Sequence, residues 1–359
     1  MPGFDPELDP VAVFEGGAEG YHTVRIPALV RTPDNVLLAF AEARRDGPRD
    51  DGHIELALRR SRDHGRTWGP MQILAAEAGE VTLGNPCPFV LRESGEVILL
   101  FTRDNHTAYC ARSGDSGETW TEPEEITGAC RGFPYPWVRI ATGPVHGCEL
   151  ASGRLVAPVW LCNRDEHDGH NRSYRGGTLL SDDRGRTWRA GAVVGHDAVG
   201  PNEGTAYQRS DGAVVLNLRP ESAACRYVAE SHDGGATFGP LRRHDGLPAA
   251  VCQGASLVLP EQEGGKHLLF SNILPWEEGL PVPPDGAKRS RLTVRLSHDE
   301  GETWPESRCI TAGPSAYADM ALLEDGSVGM LCECGEARYN QRLAFCRFTL
   351  AWVRAAARH

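Results

Sequence analysis

Short apolar and alternating runs, each closed by turn-forming residues, divide the chain into brief strands that fall into groups. In the first group the runs are residues 25–31, 36–42, 54–60 and 71–74, with Thr32-Pro33-Asp34-Asn35 as the first turn. The second uses 89–92, 96–102, 107–112 and 124–126, and the third 142–150, 154–161, 177–180 and 190–194. The fourth gives 204–209, 213–218 and 226–230, the fifth 252–259, 267–271 and 292–296. The last offers only 317–323, 327–332 and 343–350, so the run at 11–15 is its natural fourth strand.

One string sets the spacing of these groups. Ser61-Arg62-Asp63-His64-Gly65-Arg66-Thr67-Trp68 has the pattern S-x-D-x-G-x-T-aromatic, which returns at 113–120, 181–188, 231–238 and 297–304. Each copy has the chemistry of a rigid hairpin turn. The Asp accepts backbone N–H bonds, the Gly takes a positive φ, and the Thr and aromatic lead back into a strand. A calcium-loop reading fails, because no copy has the alternating acids and distal Glu that such a loop needs. The mean interval of about 59 residues divides the 359-residue chain into roughly six units. These patterns predict an all-β, six-bladed β-propeller with four antiparallel strands per blade. The N-terminal strand closes the last blade, and residues 1–359 form one domain.

The topology also sorts the polar residues. In an antiparallel blade the start of strand 1 and the strand 2–3 loop share one face of the ring, and the 3–4 hairpin lies on the other. Arg25, Glu203 and Tyr317 stand at or just before first strands, with Arg44, Asp50, Arg219 and Arg289 in or beside 2–3 loops. Gathered arginines point to an anion, so this face is predicted to bind a carboxylate, sulfate or phosphate.

Composition narrows the partners. A net charge of −12 argues against a nucleic-acid surface, and Lys266 and Lys288 are the only lysines. Residues 1–10 carry no signal-peptide pattern and no apolar run approaches a membrane span, so a cytoplasmic location is expected. Eleven cysteines without a secretory signal are expected to be reduced and mostly buried. Cys332 and Cys334 lack a second pair at metal-binding spacing, and Asp165-Glu166-His167-Asp168-Gly169-His170 reads as a solvated loop. No metal or cofactor is expected, and the chain is read as a monomer.

At this point the residues resemble a known family. Val24-Arg25-Ile26-Pro27 looks like the arginine-isoleucine-proline signature of exo-α-sialidases of the glycoside hydrolase 33 type, and the five hairpin strings look like that family's Asp boxes. Further matches are Ala39-Phe40-Ala41-Glu42-Ala43-Arg44, Asn85-Pro86-Cys87-Pro88, Leu216-Asn217-Leu218-Arg219, Leu292-Thr293-Val294-Arg295-Leu296-Ser297 and Ala316-Tyr317. The resemblance implies that Arg25, Arg219 and Arg289 clamp the substrate carboxylate, with Arg291 as the alternative to Arg289. It implies Tyr317 as nucleophile, Glu203 as its activating carboxylate, and Glu333 as the acid holding Arg25. Asp50 is the implied acid/base, with Asp51 as alternative, and Arg44 and Asn85 are added to the substrate-binding set. Implied partners are sialylated glycans, glycoproteins or glycolipids.

The chemistry suits these residue types. A sialic acid bears a carboxylate on its anomeric carbon, which repels a carboxylate nucleophile, and sialidases are the known tyrosine exception among glycosidases. Two departures leave the C5 substituent open. Val145 interrupts Gly143-Pro144-Val145-His146-Gly147, and Gly84 precedes Asn85 where vertebrate cytoplasmic relatives carry a bulkier residue. Trp137 and Trp160 are candidates to line the acyl or glycerol pocket, although packing inside a blade is the commoner role of a tryptophan here. The other readings are hydrolysis of a related 2-keto-3-deoxy acid of the KDN or Kdo type, and a propeller that binds sialic acid without cleaving it.

Overall fold

The computed structural model describes residues 1–164, 173–196, 198–221, 224–260, 267–275 and 288–355. The 165–170 cluster lies outside them. Strand-forming runs become four successive antiparallel blades. The first is Thr23–Arg31, Leu37–Arg44, Ile54–Ser61 and Gln72–Ala75, and the second Leu83–Val90, Val97–Arg103, Thr107–Ser113 and Glu124–Glu125. The third is Arg139–Thr142, Leu155–Cys162, Tyr174–Ser181 and Arg189–Val194. The fourth is Pro201–Gln208, Val214–Pro220, Cys225–Ser231 and Arg242–Pro248.

The remaining strands overturn the expectation of six separate blades. Glu306–Leu322 is a single strand of 17 residues, paired along its first part with Ser290–Ser297 and along its second with Val328–Cys334. Gly313 and Pro314 would suit a turn, yet Pro314 lies opposite Ser290 and Ser315 opposite Cys334, so the ladder passes from one side of the strand to the other without a break. The last two groups thus merge into one seven-stranded sheet. Its order is Val11–Glu15, Arg342–Phe348, Val328–Cys334, Glu306–Leu322, Ser290–Ser297, Leu268–Ile273 and Gly254–Val258. The architecture is all-β, with four blades and a half-barrel sheet. The N-terminal strand pairs with Arg342–Phe348, as expected from the three strands the last group supplies.

Two smaller differences have local causes. The run 142–150 does not form one strand, because Gly143 and Pro144 end Arg139–Thr142 and only Cys148–Glu149 pairs again. Two short helices, Thr127–Cys130 and Leu350–Ala355, were not legible as periodic runs.

The five repeated strings all form the same hairpin. In the first, Ser61 Oγ donates to Asp63 Oδ1, which also accepts from Thr67 N at 2.9 Å, while Gly65 N donates to Ser61 Oγ. The other four repeat this set. Three of the aromatics staple a hairpin to the preceding sheet. Trp120 meets Phe40 at 5.9 Å, Trp188 meets Phe89 at 5.8 Å, and Trp68 meets Phe345 at 5.4 Å. Gly65 sits so close that a Cβ would lie 2.0 Å from the Phe345 ring, and its φ of +84° disfavours any side chain.

At the other end of the strands, the ladders carry bulges. They fall between Arg25 and Ala28, Gly84 and Cys87, Pro201 and Gly204, and Ser315 and Ala318. A bulge re-aims the side chains it contains. Among the residues inside or bounding these four are Arg25, Asn85, Glu203 and Tyr317.

Candidate active site

The bulged strand starts open onto one cavity of about 260 Å³. Arg25, Arg44, Asp50, Asn85, Glu203, Arg219, Arg289 and Tyr317 all line it. Eight of the positions read from the sequence thus converge, from four sheets.

At the floor, the Tyr317 hydroxyl donates to Glu203 Oε1 in a short contact. Arg219 Nη1 reaches both, at 2.5 Å from Glu203 Oε2 and 3.1 Å from the Tyr317 oxygen. Burial and the Glu203 charge push the Tyr317 pKa well above its ordinary value, against the opposing pull of Arg219 and Arg289. Tyr317 is therefore a neutral phenol at rest. Asn202 Oδ1 accepts from Glu203 N at 2.7 Å and fixes the bulge that carries the carboxylate.

Glu333 lies beneath Arg25, fully buried on Val328–Cys334. It pairs with Arg25 Nε at 3.0 Å and accepts from Ile26 N at 3.0 Å and Tyr317 N at 3.4 Å. One carboxylate thus ties the Arg25 bulge to the Tyr317 bulge. Although burial opposes the Arg25 charge, Glu333 and Asp50 overcome that cost and raise its pKa.

Asp50 hangs at the cavity mouth, its side chain 75 % exposed. Its Oδ1 accepts from Arg25 Nη1 at 2.9 Å and from Arg44 Nη1 at 2.7 Å. Crowding by the cavity wall pushes its pKa up, but the guanidiniums of Arg44 and Arg25 outweigh this and hold it at about 2. Asp51 points elsewhere and pairs with Arg49 at 3.1 Å. Arg44 is shared with Glu42 at 2.6 Å, and Glu42 in turn accepts from Asn85 N at 3.0 Å.

Arg289 lines the cavity and Arg291 does not, donating instead to the carbonyl of Pro275. Arg289 also differs from the other cavity arginines in its company. Arg25 pairs with Glu333 and Asp50, Arg44 with Glu42 and Asp50, and Arg219 with Glu203 and Glu221. Among the described residues no carboxylate pairs with Arg289. Its Nη2 donates to Val251 O at 3.1 Å, and its guanidinium lies over the rings of Tyr317 and Tyr339.

Several lining residues escaped the sequence reading: Glu42, Asn105, Tyr174, Asn202, Glu221 and Tyr339. Glu42 stood inside a motif already noted, and Glu221 two residues beyond Arg219, but nothing in their spacing marked them. Trp160 lines the cavity edge-on to Tyr174 at 5.8 Å, whereas Trp137 is half-buried against the core between the second and third blades and donates to Cys130 O. Val145 is buried in the core and does not line the cavity. Gly84 is needed by its neighbour, since a Cβ there would lie 2.3 Å from Glu42 Oε1. All eleven cysteines are free thiols, nine of them buried. Among the described residues no helix is long and apolar enough to cross a membrane, and no cluster of His, Cys, Asp and Glu could hold a metal ion.

Comparison with known proteins identifies the family. Residues 35–330 match the family described as BNR repeat-like domain. The chain is 32 % identical to a sialidase of Micromonospora viridifaciens, over 98 % of its own length but only 55 % of that protein's. It is 30 % identical to Sialidase-3 of Mus musculus, over 91 % of each. In fold it is similar to the Hadza microbial sialidase Hz136, with a TM-score of 0.81 at 24 % identity, over 96 % of this chain and 69 % of that one. The Trypanosoma rangeli sialidase in complex with sialic acid gives 0.77 at 19 %, over 99 % and 61 %. With both the repeats and the full-length relatives in agreement, the chain belongs to the sialidase family of glycoside hydrolases.

Proposed function

We propose that the chain is an exo-α-sialidase that releases terminal α-ketosidically linked sialic acid with retention, using Tyr317 as nucleophile. The observation that carries this is the placement of the Tyr317 oxygen between Glu203 and Arg219, on the floor of a cavity walled by three further arginines. A neutral phenol can approach a carbon that bears a carboxylate, where an anionic nucleophile would meet like charge. Glu203 removes the hydroxyl proton as the Tyr317 oxygen bonds to the anomeric carbon, and Arg219 steadies the developing phenolate character.

Protonation of the leaving oxygen falls to Asp50, and its environment sets a condition. In the contact described, Asp50 is ionised and has no proton to give. A substrate carboxylate arriving at Arg25 competes with Asp50 for the same guanidinium and places a second negative charge beside it. Both effects raise the Asp50 pKa and favour its protonated form. Asp50 then protonates the glycosidic oxygen as the bond to the aglycone breaks. In the second step it takes a proton from the water that attacks the anomeric carbon, while Glu203 returns a proton to the departing Tyr317 oxygen.

Trp160, Tyr174, Asn85 and Asn105 form a wall of mixed apolar and amide character that suits an N-acyl group at C5. The test is release of a fluorophore from an α-linked N-acetylneuraminic acid aryl glycoside, with the deaminated analogue and a Kdo glycoside alongside. Cleavage of the first, lost by about 10³-fold or more in Tyr317→Phe, is the expected result. Cleavage of an analogue alone moves the substrate; binding of free sialic acid with no cleavage of any of the three overturns the enzymatic reading.

A further inference from the structure

Arg289 poses a problem that the mechanism does not solve. A guanidinium with no carboxylate partner is the most useful kind for gripping a substrate carboxylate, because none of its charge is already neutralised. It is also the hardest to hold still, since Arg219 lines the same cavity and repels it. Its single hydrogen bond among the described residues, to Val251 O, does not fix the plane of the group.

The aromatic rings supply what a carboxylate would otherwise supply. The Arg25 guanidinium carbon lies 5.4 Å from the centre of the Tyr317 ring and 5.2 Å from that of Tyr339. For Arg289 the distances are 5.7 and 5.2 Å. Both cations therefore contact the same two rings. A ring face attracts a cation through its quadrupole without cancelling its charge. Of the two rings, Tyr317 belongs to the reacting group, and its electron distribution changes when its oxygen gives up a proton and bonds to carbon. Tyr339 has no such duty.

From this we infer that Tyr339 is a positioning residue that keeps Arg25 and Arg289 side by side and available to the substrate carboxylate. The inference rests on the sialidase reading and adds a specific element to it. The loop that carries Tyr339 is built to hold it. Gln341 Oε1 accepts from Ala337 N at 2.7 Å and from Arg338 N at 3.0 Å, which closes the loop on itself. Gly335 sits at its base, where a Cβ would lie 2.1 Å from Arg338 O. The Tyr339 ring packs against the core cluster that contains Ile26, Ala316 and Tyr317. Its partial burial leaves one side facing the cavity.

The experiment compares the wild type with Tyr339→Phe and Tyr339→Leu. Each is assayed for kcat and KM on the aryl sialoside, and for competitive inhibition by N-acetylneuraminic acid and by its methyl ester. Thermal midpoints are taken alongside. For Tyr339→Leu the expected result is a KM raised by about tenfold with kcat within about twofold of wild type. Affinity for the free acid should fall by the same factor and affinity for the ester much less, because the ester carries no charge for the clamp to grip. Tyr339→Phe keeps the ring and should behave as wild type. Equal losses for acid and ester would make Tyr339 a wall residue only and overturn the proposal, as would an unchanged Tyr339→Leu or a Tyr339→Phe as impaired as Tyr339→Leu. If the wild type neither cleaves the sialoside nor binds the free acid, the sialidase reading fails and the inference falls with it.

Discussion

The two ends of the strands hold their carboxylates in opposite ways. At the hairpin end, each repeated Asp takes its hydrogen bonds from residues at most four positions away. At the cavity end, Glu333 holds groups 307 and 308 residues distant, and Tyr317 and Glu203 meet across 114. A local bond set can be copied from unit to unit without reference to the rest of the chain. A long-range set exists only once, and only when the sheets have come together. The hairpins therefore serve the fold, and the cavity is where the fold has been committed to one arrangement of charge.

If that contrast holds, substitutions at the two ends should separate activity from stability. The largest effect on activity is expected from Glu203→Gln, which keeps the shape of the site but removes the base; kcat should fall by 10² to 10⁴, roughly the range for a lost general base, while the thermal midpoint falls less than in the Glu333 variant because Glu221 still pairs with Arg219. Steady-state kinetics beside calorimetry would check it. Glu333→Gln should cost both properties, because it strips the buried Arg25 of its counter-ion. A loss of ~3–5 kcal/mol in a denaturant titration is expected, together with a higher KM. Little change in either would mean that Asp50 alone suffices to hold Arg25.

A subtler separation concerns Asp50. Asp50→Asn should be slowed far more on a sialyl-galactoside, whose leaving oxygen needs a proton, than on an aryl glycoside, whose leaving group does not. A gap of about 10- to 100-fold between the two substrates is expected, and equal losses would move the acid role elsewhere. The smallest effect belongs to the hairpins. Asp63→Ala should lower stability by ~1–2 kcal/mol through the lost turn bonds, leaving kcat and KM at wild-type values.

The His146–Asp319 pair offers a check by pH instead of by mutation. His146 Nδ1 lies 2.7 Å from Asp319 Oδ1, and the same carboxylate accepts from Leu29 N and His146 N. Burial disfavours the charged ring, but Asp319 and the Ser256 backbone raise its pKa above the ordinary value. The raised folded-state pKa means that this contribution is fully present below about pH 6.5, the usual histidine pKa, and is lost as pH rises through the folded value. Stability curves for wild type and His146→Gln should accordingly diverge at low pH and converge at high pH.

The same contrast explains what the sequence could reveal. The hairpins were legible because Ser61, Asp63, Gly65, Thr67 and Trp68 bond within one turn, so their spacing is fixed along the chain. Strand alternation gave the blades for the same reason. The joining of the last two groups was not legible, because whether Pro314 and Ser315 turn or continue depends on Ser290 and Cys334 lying opposite them. At the cavity, Arg25, Glu203 and Tyr317 could be placed near one axis by topology, and the resemblance supplied the roles proposed for them. Tyr339 had neither aid: it lies in a loop outside every motif and earns its place through contact with two guanidiniums.

The strand Glu306–Leu322 also bears on how the molecule breathes. A blade that ends in a loop can open and close on its own, exchanging its amide hydrogens without disturbing the next. Here one uninterrupted strand carries ladder partners on both sides, from Leu296 opposite Glu306 to Val328 opposite Leu322. The strand that begins beside Arg289 and the one that carries Glu333 share it, with Tyr317 on the strand itself. In deuterium labelling this stretch should behave as one cooperative block, opening together or not at all.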